Sequence, residues 1–450
     1  MSPKTIFASV ALVIALGSLE KSIVTTPLPI IGAELNAGAT LTWVVTAYLL
    51  AATAALPVYG KLSDLFGRVR MLNIGIGFFL AGSVACALAQ DLPTLLGARV
   101  LQGLGGGGLI ALAFTVIADS IPPREVGKYQ GYISAVYAVS SIAGPLLGGY
   151  FSEQLSWRWI FWINLPLGAL ALWLVNRNLG HLNVRRHSRF DWKGAGLLIT
   201  VTTLTLLLLS PDTTLSALWL AAALLLLILV ERRAQDPILP AHLVRLPGYL
   251  VSVLLALASQ LLMFAVLVYL PLQMQWQKGM GASESGLYMV IFMVCITAGA
   301  FIGGKLIGRT GHYRRFVVTG FALAALALWQ IHFDLWANLG LGLAGLGLGL
   351  VLPALSVVVQ NALPREDRGI GMSLFNFGRE LGGAVGVAIC AMLFHSALPA
   401  GSSRDLASLS PAELAPGFGA TYVGMALIAS AALLITLLAL KRHELASMPA

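Results

Sequence analysis

The stretch GKLSDLFGRVR, residues 60–70, occurs a second time in altered form as GKLIGRTGHYRR, residues 304–315. A shorter marker, PRE, also occurs twice, at residues 123–125 and 364–366, with nearly the same separation. Two independent markers at nearly equal spacing indicate that the chain is built from two duplicated halves.

Long apolar runs flank both copies of this stretch. The chain of 450 residues is 58% hydrophobic and only 10% charged, whereas soluble domains average about 25% charged residues. A helix that crosses a bilayer needs about 20 mostly apolar residues. By that test the sequence predicts an all-α membrane protein with fourteen spans, at residues 6–30, 40–60, 71–90, 93–119, 127–152, 157–177, 194–211, 215–231, 248–272, 284–307, 316–333, 335–361, 370–396 and 419–440.

The connections between these spans are short, which excludes a separate soluble domain. Six spans form each predicted half, and the two middle spans are an insertion between the halves. The predicted domains are an N-terminal six-helix half (residues 1–177), a linker with two extra transmembrane helices (178–247) and a C-terminal six-helix half (248–450). The inserted spans carry no buried charge, so we expect them to lie outside the twelve-helix core.

The distribution of basic residues predicts the orientation in the membrane. With the N-terminus inside, most of the 28 lysines and arginines lie in cytoplasmic connections or termini, as the positive-inside rule requires. Both termini are therefore expected to be cytoplasmic, in the cytoplasmic (inner) membrane. The first apolar run continues past Glu20 to Ile31, which favours a retained first span over a cleaved signal peptide.

Several other classes of protein are excluded by the sequence. GLGGGG (residues 103–108) and GAFIGGK (299–305) are similar to nucleotide-binding loops, but both lie in predicted membrane helices, whereas such loops join a strand to a helix. Small residues in membrane helices favour close helix contact instead. The three cysteines are far apart, and no nucleophile–base pair lies at one depth. The sequence therefore predicts no enzyme activity, no metal site, no cofactor and no nucleotide or nucleic-acid partner.

Two charged residues lie at matching depth within predicted spans. Glu20 and Arg99 are each about 9 Å below the outer face, given a rise of 1.5 Å per residue and an apolar core about 30 Å thick. Charged residues inside a membrane are costly and mark functional sites by default. We expect Glu20 and Arg99 to lie close together, as partners or competitors in proton coupling, with a structural ion pair as the alternative. Lys21 projects about 100° away and faces elsewhere.

Further candidates lie in other spans. Arg379 and Glu380 are near mid-depth in the thirteenth span, where a role in proton coupling competes with an internal ion pair that fixes helix packing. Polar and aromatic residues that would suit a cargo pocket are Tyr48, Tyr137, Gln260, Tyr269, Phe375 and Asn376.

Two motifs combine glycine with charged residues or proline. In residues 60–70, Gly60 permits close helix approach, Asp64 can cap a turn or neutralise an arginine, and Arg68 supplies cytoplasmic positive charge. In SIAGPLLGGYF, residues 141–151, three glycines expose backbone and Pro145 removes an intrahelical hydrogen bond, which kinks the helix. The alternatives are a purely topological loop and a structural glycine contact.

These motifs resemble those of the major facilitator superfamily. Residues 60–70 are similar to its loop signature G-x-x-x-D-R/K-x-G-R-R/K-R/K, although Leu65 and Val69 replace basic residues. GPLLGG, residues 144–149, is similar to the antiporter motif of the superfamily's exporters, G-P-x-x-G-G.

Two more segments are similar to those of the fourteen-spanner drug:proton antiporter family. LEKSIVTTPLPII, residues 19–31, resembles its first-helix signature L-D-x-T-I-V-N-V-A-L-P, with Glu20 in place of Asp, Thr25 in place of Asn and Pro27 in place of Ala. WRWIFWINLPLG, residues 157–168, resembles the start of its sixth helix. The resemblance covers essentially the whole chain and implies the major facilitator fold, with two six-helix bundles plus two inserted transmembrane helices.

The resemblance also implies a function. It indicates a proton-coupled antiporter of the multidrug efflux type that exports small amphipathic or hydrophobic, often cationic, compounds. Cargo, protons and membrane lipid would be the partners of a monomeric chain. The alternatives are a dedicated exporter of one metabolite or lipid, and a non-transporting membrane sensor or scaffold. The implied site residues are the gating loop, Gly60, Asp64, Gly67 and Arg68, and the antiporter motif, Gly144, Pro145, Gly148 and Gly149.

Overall fold

The computed structural model describes residues 3–120, 123–179, 192–208, 217–231, 241–246, 248–333, 337–364, 368–398 and 409–440 of the chain. Within these residues the secondary structure consists of helices joined by turns and short connections. In chain order the helices are α1 (Pro3–Ile23), α2 (Leu28–Glu34), α3 (Trp43–Phe66), α4 (Arg68–Leu88), α5 (Leu92–Ser120), α6 (Pro123–Gln154), α7 (Trp159–Trp162), α8 (Asn164–Leu179), α9 (Trp192–Leu208), α10 (Ala217–Glu231), α11 (Ala241–Val244), α12 (Tyr249–Trp276), α13 (Ala282–Thr310), α14 (Tyr313–His332), α15 (Ala337–Ala362), α16 (Arg368–Ser396) and α17 (Pro411–Ala439).

Eleven helices in the described residues are long and apolar enough to cross a membrane. They coincide with eleven of the predicted spans, and the other three predicted spans coincide with α6, α9 and α10. The prediction of an all-helical, multi-pass membrane protein is therefore confirmed. The count of fourteen stays a prediction, because α6 is not among these eleven helices and the apolar parts of α9 and α10, Gly196–Thr205 and Leu218–Glu231, are shorter.

The first span is not one continuous helix, as residues 6–30 were expected to be. Helix α1 ends at Ile23, residues 24–27 form a turn, and α2 begins at Leu28. The cause is the pair of prolines, Pro27 and Pro29, because proline lacks a backbone N–H and disfavours helix in the residue before it. The chain therefore turns four residues after Glu20.

Two other span boundaries also differ from the prediction. The sixth span is divided at Ile163, so that Asn164 is the first residue of α8. The last helix begins at Pro411 rather than at residue 419, because Ser410 and Glu413 form a capping box. The Glu413 carboxylate accepts a hydrogen bond from the Ser410 backbone N–H at 2.8 Å. The S-x-x-E pattern with proline at the first helical position is a known sequence signal for the start of a helix.

The two copies of the repeated stretch adopt a similar turn. Gly67 joins α3 to α4 with φ 94°, and Gly311 follows α13 with φ 68° before α14 begins. Only glycine adopts positive φ without a steric cost. Each copy therefore places a glycine where one long helix gives way to the next.

The helices group into two compact units. Unit 1 contains α1–α10 and the segment Gly279–Gly286, which includes the first residues of α13; unit 2 contains α11, α12, the rest of α13 and α14–α17. In unit 1, α5 packs against α3 and α4, and α1 packs against α6 and α8. In unit 2, α12 packs against α15, α16 and α17. The predicted domain limits stay a prediction.

The inserted helices α9 and α10 pack against each other, and α9 also packs on α3. Large apolar side chains of α10 are exposed, including Leu218, Trp219 and Leu225. A helix exposing such residues suits contact with lipid. The position of this pair outside a twelve-helix core stays a prediction.

Candidate functional site

Glu20 and Arg99 meet inside unit 1. Glu20, near the end of α1, is 0% exposed, and Arg99, on α5, is 1% exposed. Nη1 of Arg99 donates a hydrogen bond to Oε1 of Glu20, so that the two side chains form a buried ion pair. The structure thus brings together the two charged residues for which the sequence predicted the same depth in the membrane.

Arg99 has further partners besides Glu20. Its Nε donates to the carbonyl oxygen of Val44 at 2.8 Å, and its Nη1 also donates to Oε1 of Gln102. The guanidinium carbon lies 4.4 Å from the ring centre of Tyr48 and 5.7 Å from that of Phe161. Cation–π contact and hydrogen bonds to neutral oxygens compensate part of the cost of burying a guanidinium.

Three residues of the site were missed by sequence reasoning: Ser83 on α4, Gln102 on α5 and Asn164 on α8. Nδ2 of Asn164 donates to Oε2 of Glu20 at 2.8 Å and faces Oγ of Ser83 at 3.2 Å. Nε2 of Gln102 donates to the same Ser83 oxygen at 2.9 Å. All three are 0% exposed. Their signal was a polar side chain in an apolar span, with Gln102 three residues after Arg99 on the same helix face.

Glycines of α5 make room for this site. A Cβ atom at Gly103 would collide with the backbone of Tyr48, and one at Gly106 would collide with the Tyr48 ring. The glycine run therefore lets α3 approach α5, which positions the Tyr48 ring against Arg99. This observation supports the interpretation of GLGGGG as a helix-packing surface.

The antiporter-motif residues lie on α6, next to the end of α1. Added Cβ atoms at Gly144 and Gly148 would collide with Ser22 and with the backbone of Ile23. On another side of α6, the carbonyl oxygen of Pro145 is close to Gly286, and Gly149 is close to Ala282 and Ser283 at the start of α13. The motif therefore packs the backbone of α6 against the end of α1, two and three residues after Glu20.

An equivalent glycine contact joins two helices of unit 2. Gly382 and Gly386 of α16 lie so close to α12 that added Cβ atoms would collide with Leu257 and Leu261. Both contacts use two glycines four residues apart, which is a recurrent means of close helix packing in membranes.

Arg379 and Glu380 lie beside this contact in unit 2. Nη2 of Arg379 is 3.3 Å from Oε1 of Glu380, and the side chains are 25% and 11% exposed. Arg379 is therefore more exposed than Arg99. The two predicted charged pairs lie in different units, and each unit brings its own pair together.

The gating-loop residues lie where α3 passes into α4. Gly60 is exposed, and an added Cβ atom there would meet no atom within 4 Å. Gly67 forms the turn, and Arg68 begins α4 and is half-buried. The side chain of Asp64 lies outside the part of the chain that the structure describes.

The predicted pocket residues are divided between the units. Tyr48 and the half-buried Tyr137 belong to unit 1, and of these two Tyr48 contacts Arg99. In unit 2, Gln260 is buried on α12 and Tyr269 lies 5.9 Å from the ring of Phe394. Phe375 is buried on α16, and Asn376 beside it is half-buried.

Other candidate sites in the described residues are weaker. A cavity of about 450 Å³ opens between the end of α4 and the start of α5, beside Asp91 and Thr94, and it contains none of the predicted site residues. Among the described residues, no group of three His, Cys, Asp or Glu side chains is placed to bind a metal ion.

A second ion pair of unit 1, between Glu34 and Arg158, holds the segment before α7. Glu34 accepts hydrogen bonds from Nε1 of Trp157 at 2.7 Å and from Nη1 of Arg158 at 2.6 Å, and Arg158 also donates to the carbonyl oxygen of Ala89 at 3.0 Å. Partial burial alone would raise the pKa of Glu34, but the hydrogen bonds from Arg158 and Trp157 outweigh it and lower that pKa. This pair connects the end of α2 with the residue that follows α4 and the residue that precedes α7.

Comparisons with known proteins agree with the sequence motifs. The family described as Major Facilitator Superfamily matches residues 10–387. The chain is 34% identical over 434 residues to an uncharacterized MFS-type transporter of Mycobacterium tuberculosis, covering 91% of this chain and 63% of that protein. It is 32% identical over 395 residues to the multidrug transporter protein MdtP of Bacillus subtilis, covering 84% of this chain and 73% of MdtP.

The fold itself is similar to that of solved transporters. A bacterial homologue of the human lysosomal transporter Spinster matches with a TM-score of 0.69 at 15% identity, covering 97% of this chain and 96% of the other. At that identity the likeness concerns the fold alone. The chain spans less than two thirds of the length of the Mycobacterium relative.

Proposed function

Because the chain belongs to the major facilitator superfamily, we propose that it is a proton-coupled antiporter of the cytoplasmic membrane. Its cargo would be small amphipathic or hydrophobic compounds, often cationic, and the direction of transport would be export. The name of MdtP, a multidrug transporter, supports this choice of cargo.

The buried pair of Glu20 and Arg99 carries the proposal. A buried ion pair is a weak source of stability, and replacing it by apolar residues of similar volume is often neutral or stabilising. Both side chains are almost completely buried in unit 1, and three neutral polar residues surround them. Such an arrangement is costly for packing alone, but it suits a carboxyl group that must gain and lose a proton.

The proposed cycle uses the opposing influences on Glu20. Burial in a low-dielectric interior favours the neutral carboxyl, whereas a neighbouring guanidinium favours the carboxylate. When the site opens to the outside, Glu20 takes up a proton and cargo leaves. When it opens to the cytoplasm, Glu20 releases that proton, and a cationic cargo is attracted to the carboxylate. Proton entry is therefore coupled to the export of cargo.

The antiporter motif is proposed to link this cycle to helix movement. Gly144 and Gly148 pack against Ser22 and Ile23, directly after Glu20 on α1. A change in the bend of α6 at Pro145 would therefore displace the residues beside the carboxyl group.

The remaining assignments belong to the same proposal. Arg379 and Glu380 would contribute to coupling in the second half, the gating loop at residues 60–68 would lie at the cytoplasmic face, and the fourteen spans would form two six-helix bundles with two extra helices. The chain would act as a monomer with both termini in the cytoplasm. Its cargo would contact the predicted pocket residues.

Transport into everted membrane vesicles tests this function. With ethidium as the probe, vesicles that contain the protein should accumulate the dye when their interior is acidic, and an uncoupler that collapses the gradient should abolish accumulation. A control variant, Glu284→Gln, should accumulate the dye like the wild-type protein, because Glu284 is exposed at the start of α13. Accumulation that persists after the gradient is collapsed would contradict proton coupling. If a panel of chemically distinct cations and neutral dyes contained no substrate, the multidrug assignment would be wrong.

A further inference from the structure

The hydrogen bonds around Glu20 are arranged for its deprotonated form. Two side chains donate to its carboxylate oxygens within the described part of the chain: Arg99 to Oε1 and Asn164 to Oε2. A carboxylate accepts hydrogen bonds only, whereas a protonated carboxyl group carries one O–H donor. Uptake of a proton by Glu20 therefore places a new donor where donors already converge.

The neighbouring bonds fix the orientation of the Asn164 amide. The Ser83 hydroxyl donates to the carbonyl oxygen of Phe79 at 2.8 Å, so its oxygen faces Asn164 and Gln102 as an acceptor. Both groups that the Asn164 amide faces, the Glu20 carboxylate and the Ser83 oxygen, thus require donors. The amide must present its NH₂ group to them, which leaves Oδ1 on the other side.

Oδ1 of Asn164 is buried and has no hydrogen-bond partner among the described residues. The residue as a whole is 0% exposed. Buried polar atoms in native proteins nearly always have a partner, so an unpartnered one requires an explanation. A second state of the site, in which this oxygen accepts a hydrogen bond, supplies that explanation.

The two partners of Glu20 differ in what they can do after protonation. Arg99 carries donors only, and it cannot accept a hydrogen bond from the new O–H. Asn164 carries an acceptor of nearly the same size as its NH₂ group, so a half-turn of the amide exchanges the two without requiring extra space. The acceptor of Gln102 is already occupied by Arg99.

We propose that Asn164 is a positioning residue whose amide turns over when Glu20 is protonated, so that Oδ1 accepts a hydrogen bond from the carboxyl O–H and Nδ2 no longer donates to Ser83. This inference rests on the proposed role of Glu20. This rotation of the Asn164 amide changes the contact between Asn164 on α8 and Ser83 on α4. Protonation of Glu20 on α1 therefore affects two other helices of unit 1.

The charged and titratable side chains near Glu20 come from three neighbouring helices. Arg99 contacts it from α5, Tyr48 stacks on Arg99 from α3, and the Cys86 thiol of α4 donates to Gln102 at 3.7 Å. From α8, Asn164 donates to Glu20, and on α6 Gly144 packs against Ser22, two residues after Glu20; neither Asn164 nor Gly144 titrates.

Infrared difference spectroscopy on the purified full-length protein tests the inference, with a pH step from about 8 to about 5. A protonated carboxyl band should appear in the wild-type protein and be absent from Glu20→Gln. A side-chain amide band should change with it, and isotope labelling of the asparagine side chains should shift that band. In Asn164→Leu the amide change should be absent, and the carboxyl band should move to the higher frequency of a group whose O–H has no acceptor.

Asn176→Leu is the matched control, because it removes an amide from the same helix away from Glu20. Asn176 accepts a hydrogen bond from Asn73 of α4 at 2.6 Å. The control should retain both bands. Ethidium transport by Asn164→Leu should fall about two- to tenfold relative to Asn176→Leu, the range for one lost hydrogen bond.

The outcomes separate this inference from the proposed function. If the wild-type protein shows no carboxyl band that Glu20→Gln removes, Glu20 does not titrate and the proposed function fails. If that band is present but labelled asparagine shows no change in the wild-type protein, the turn of Asn164 is refuted while the role of Glu20 stands. The labelling measurement needs no variant, so poor folding of Asn164→Leu would not prevent a decision.

Discussion

Replacing Arg99 by methionine should destabilise the protein strongly, and a second replacement should reverse part of the loss. The methionine side chain fills part of the volume but leaves the Glu20 carboxylate buried without its cation. Breaking a buried ion pair by removing one partner costs about 3–5 kcal/mol, because the remaining charge is uncompensated. Arg99 also donates to Val44 and Gln102, so its removal takes one donor from each of two further buried acceptors.

Glu20→Gln should cost less than Arg99→Met. The amide retains an oxygen that accepts from Arg99, and the guanidinium keeps its contacts with Val44, Gln102 and Tyr48. We expect a loss of about 1–3 kcal/mol, the range for disturbing one buried hydrogen-bonding group. The double variant should be more stable than Arg99→Met alone, because it no longer buries an unpaired charge.

The assay is thermal unfolding of the four proteins in detergent micelles at pH 8 and pH 5. The penalty of Arg99→Met should shrink at pH 5, because protonation neutralises the unpaired Glu20. Arg158→Met is the matched control. Its ion pair with Glu34 is 28% and 46% exposed, and surface pairs contribute about 0–1 kcal/mol. If the losses from the two single replacements at Glu20 and Arg99 simply add in the double variant, the two residues are not coupled and the reasoning is wrong.

Two further predictions concern unit 1. The hydrogen bonds that lower the pKa of Glu34 from 4.5 stabilise the protein above about that pH. Their contribution is lost as the pH falls through the lower pKa of the folded state, so Glu34→Gln should weaken the fall in melting temperature below about pH 4.5. If the melting temperature of Glu34→Gln falls as much as that of the wild-type protein, Glu34 does not have this role. Gly148→Leu should destabilise by about 1–3 kcal/mol or more, because its side chain would run into the backbone of Ile23. Gly60→Ala, with open space around it in α3, should melt at or above the wild-type temperature, because alanine favours a helix over glycine. Equal melting temperatures for the two variants would contradict the described packing of α6.

The contact between Glu20 and Arg99 was predictable because helix rise is nearly constant. Counting residues from the ends of two apolar runs gives the depth of each charge, and two charges at one depth in a membrane gain by pairing. Such a count does not give the rotation of each helix about its axis, and that rotation decides which neighbouring helix a side chain faces. Membership of the superfamily was likewise predictable and is confirmed, because its loop and glycine motifs are short and contiguous.

Asn164, Gln102 and Ser83 were not predicted, for a physical reason. Neutral polar residues are common in membrane helices, where they often bond to their own backbone, so that their type alone does not indicate a site. The break between α1 and α2 was also missed, although Pro27 and Pro29 gave the signal. A hydrophobicity count treats proline as apolar and does not register its missing N–H.

The most direct test of the central claim compares two kinds of transport by Glu20→Gln in liposomes. Exchange of labelled ethidium for unlabelled ethidium, without a pH gradient, requires cargo binding and helix movement only. Uphill accumulation driven by an imposed pH gradient also requires a proton carrier. We predict that Glu20→Gln retains exchange and loses uphill accumulation, while Glu20→Asp keeps part of both. Full uphill accumulation by a well-folded Glu20→Gln protein would show that Glu20 does not carry the coupling proton.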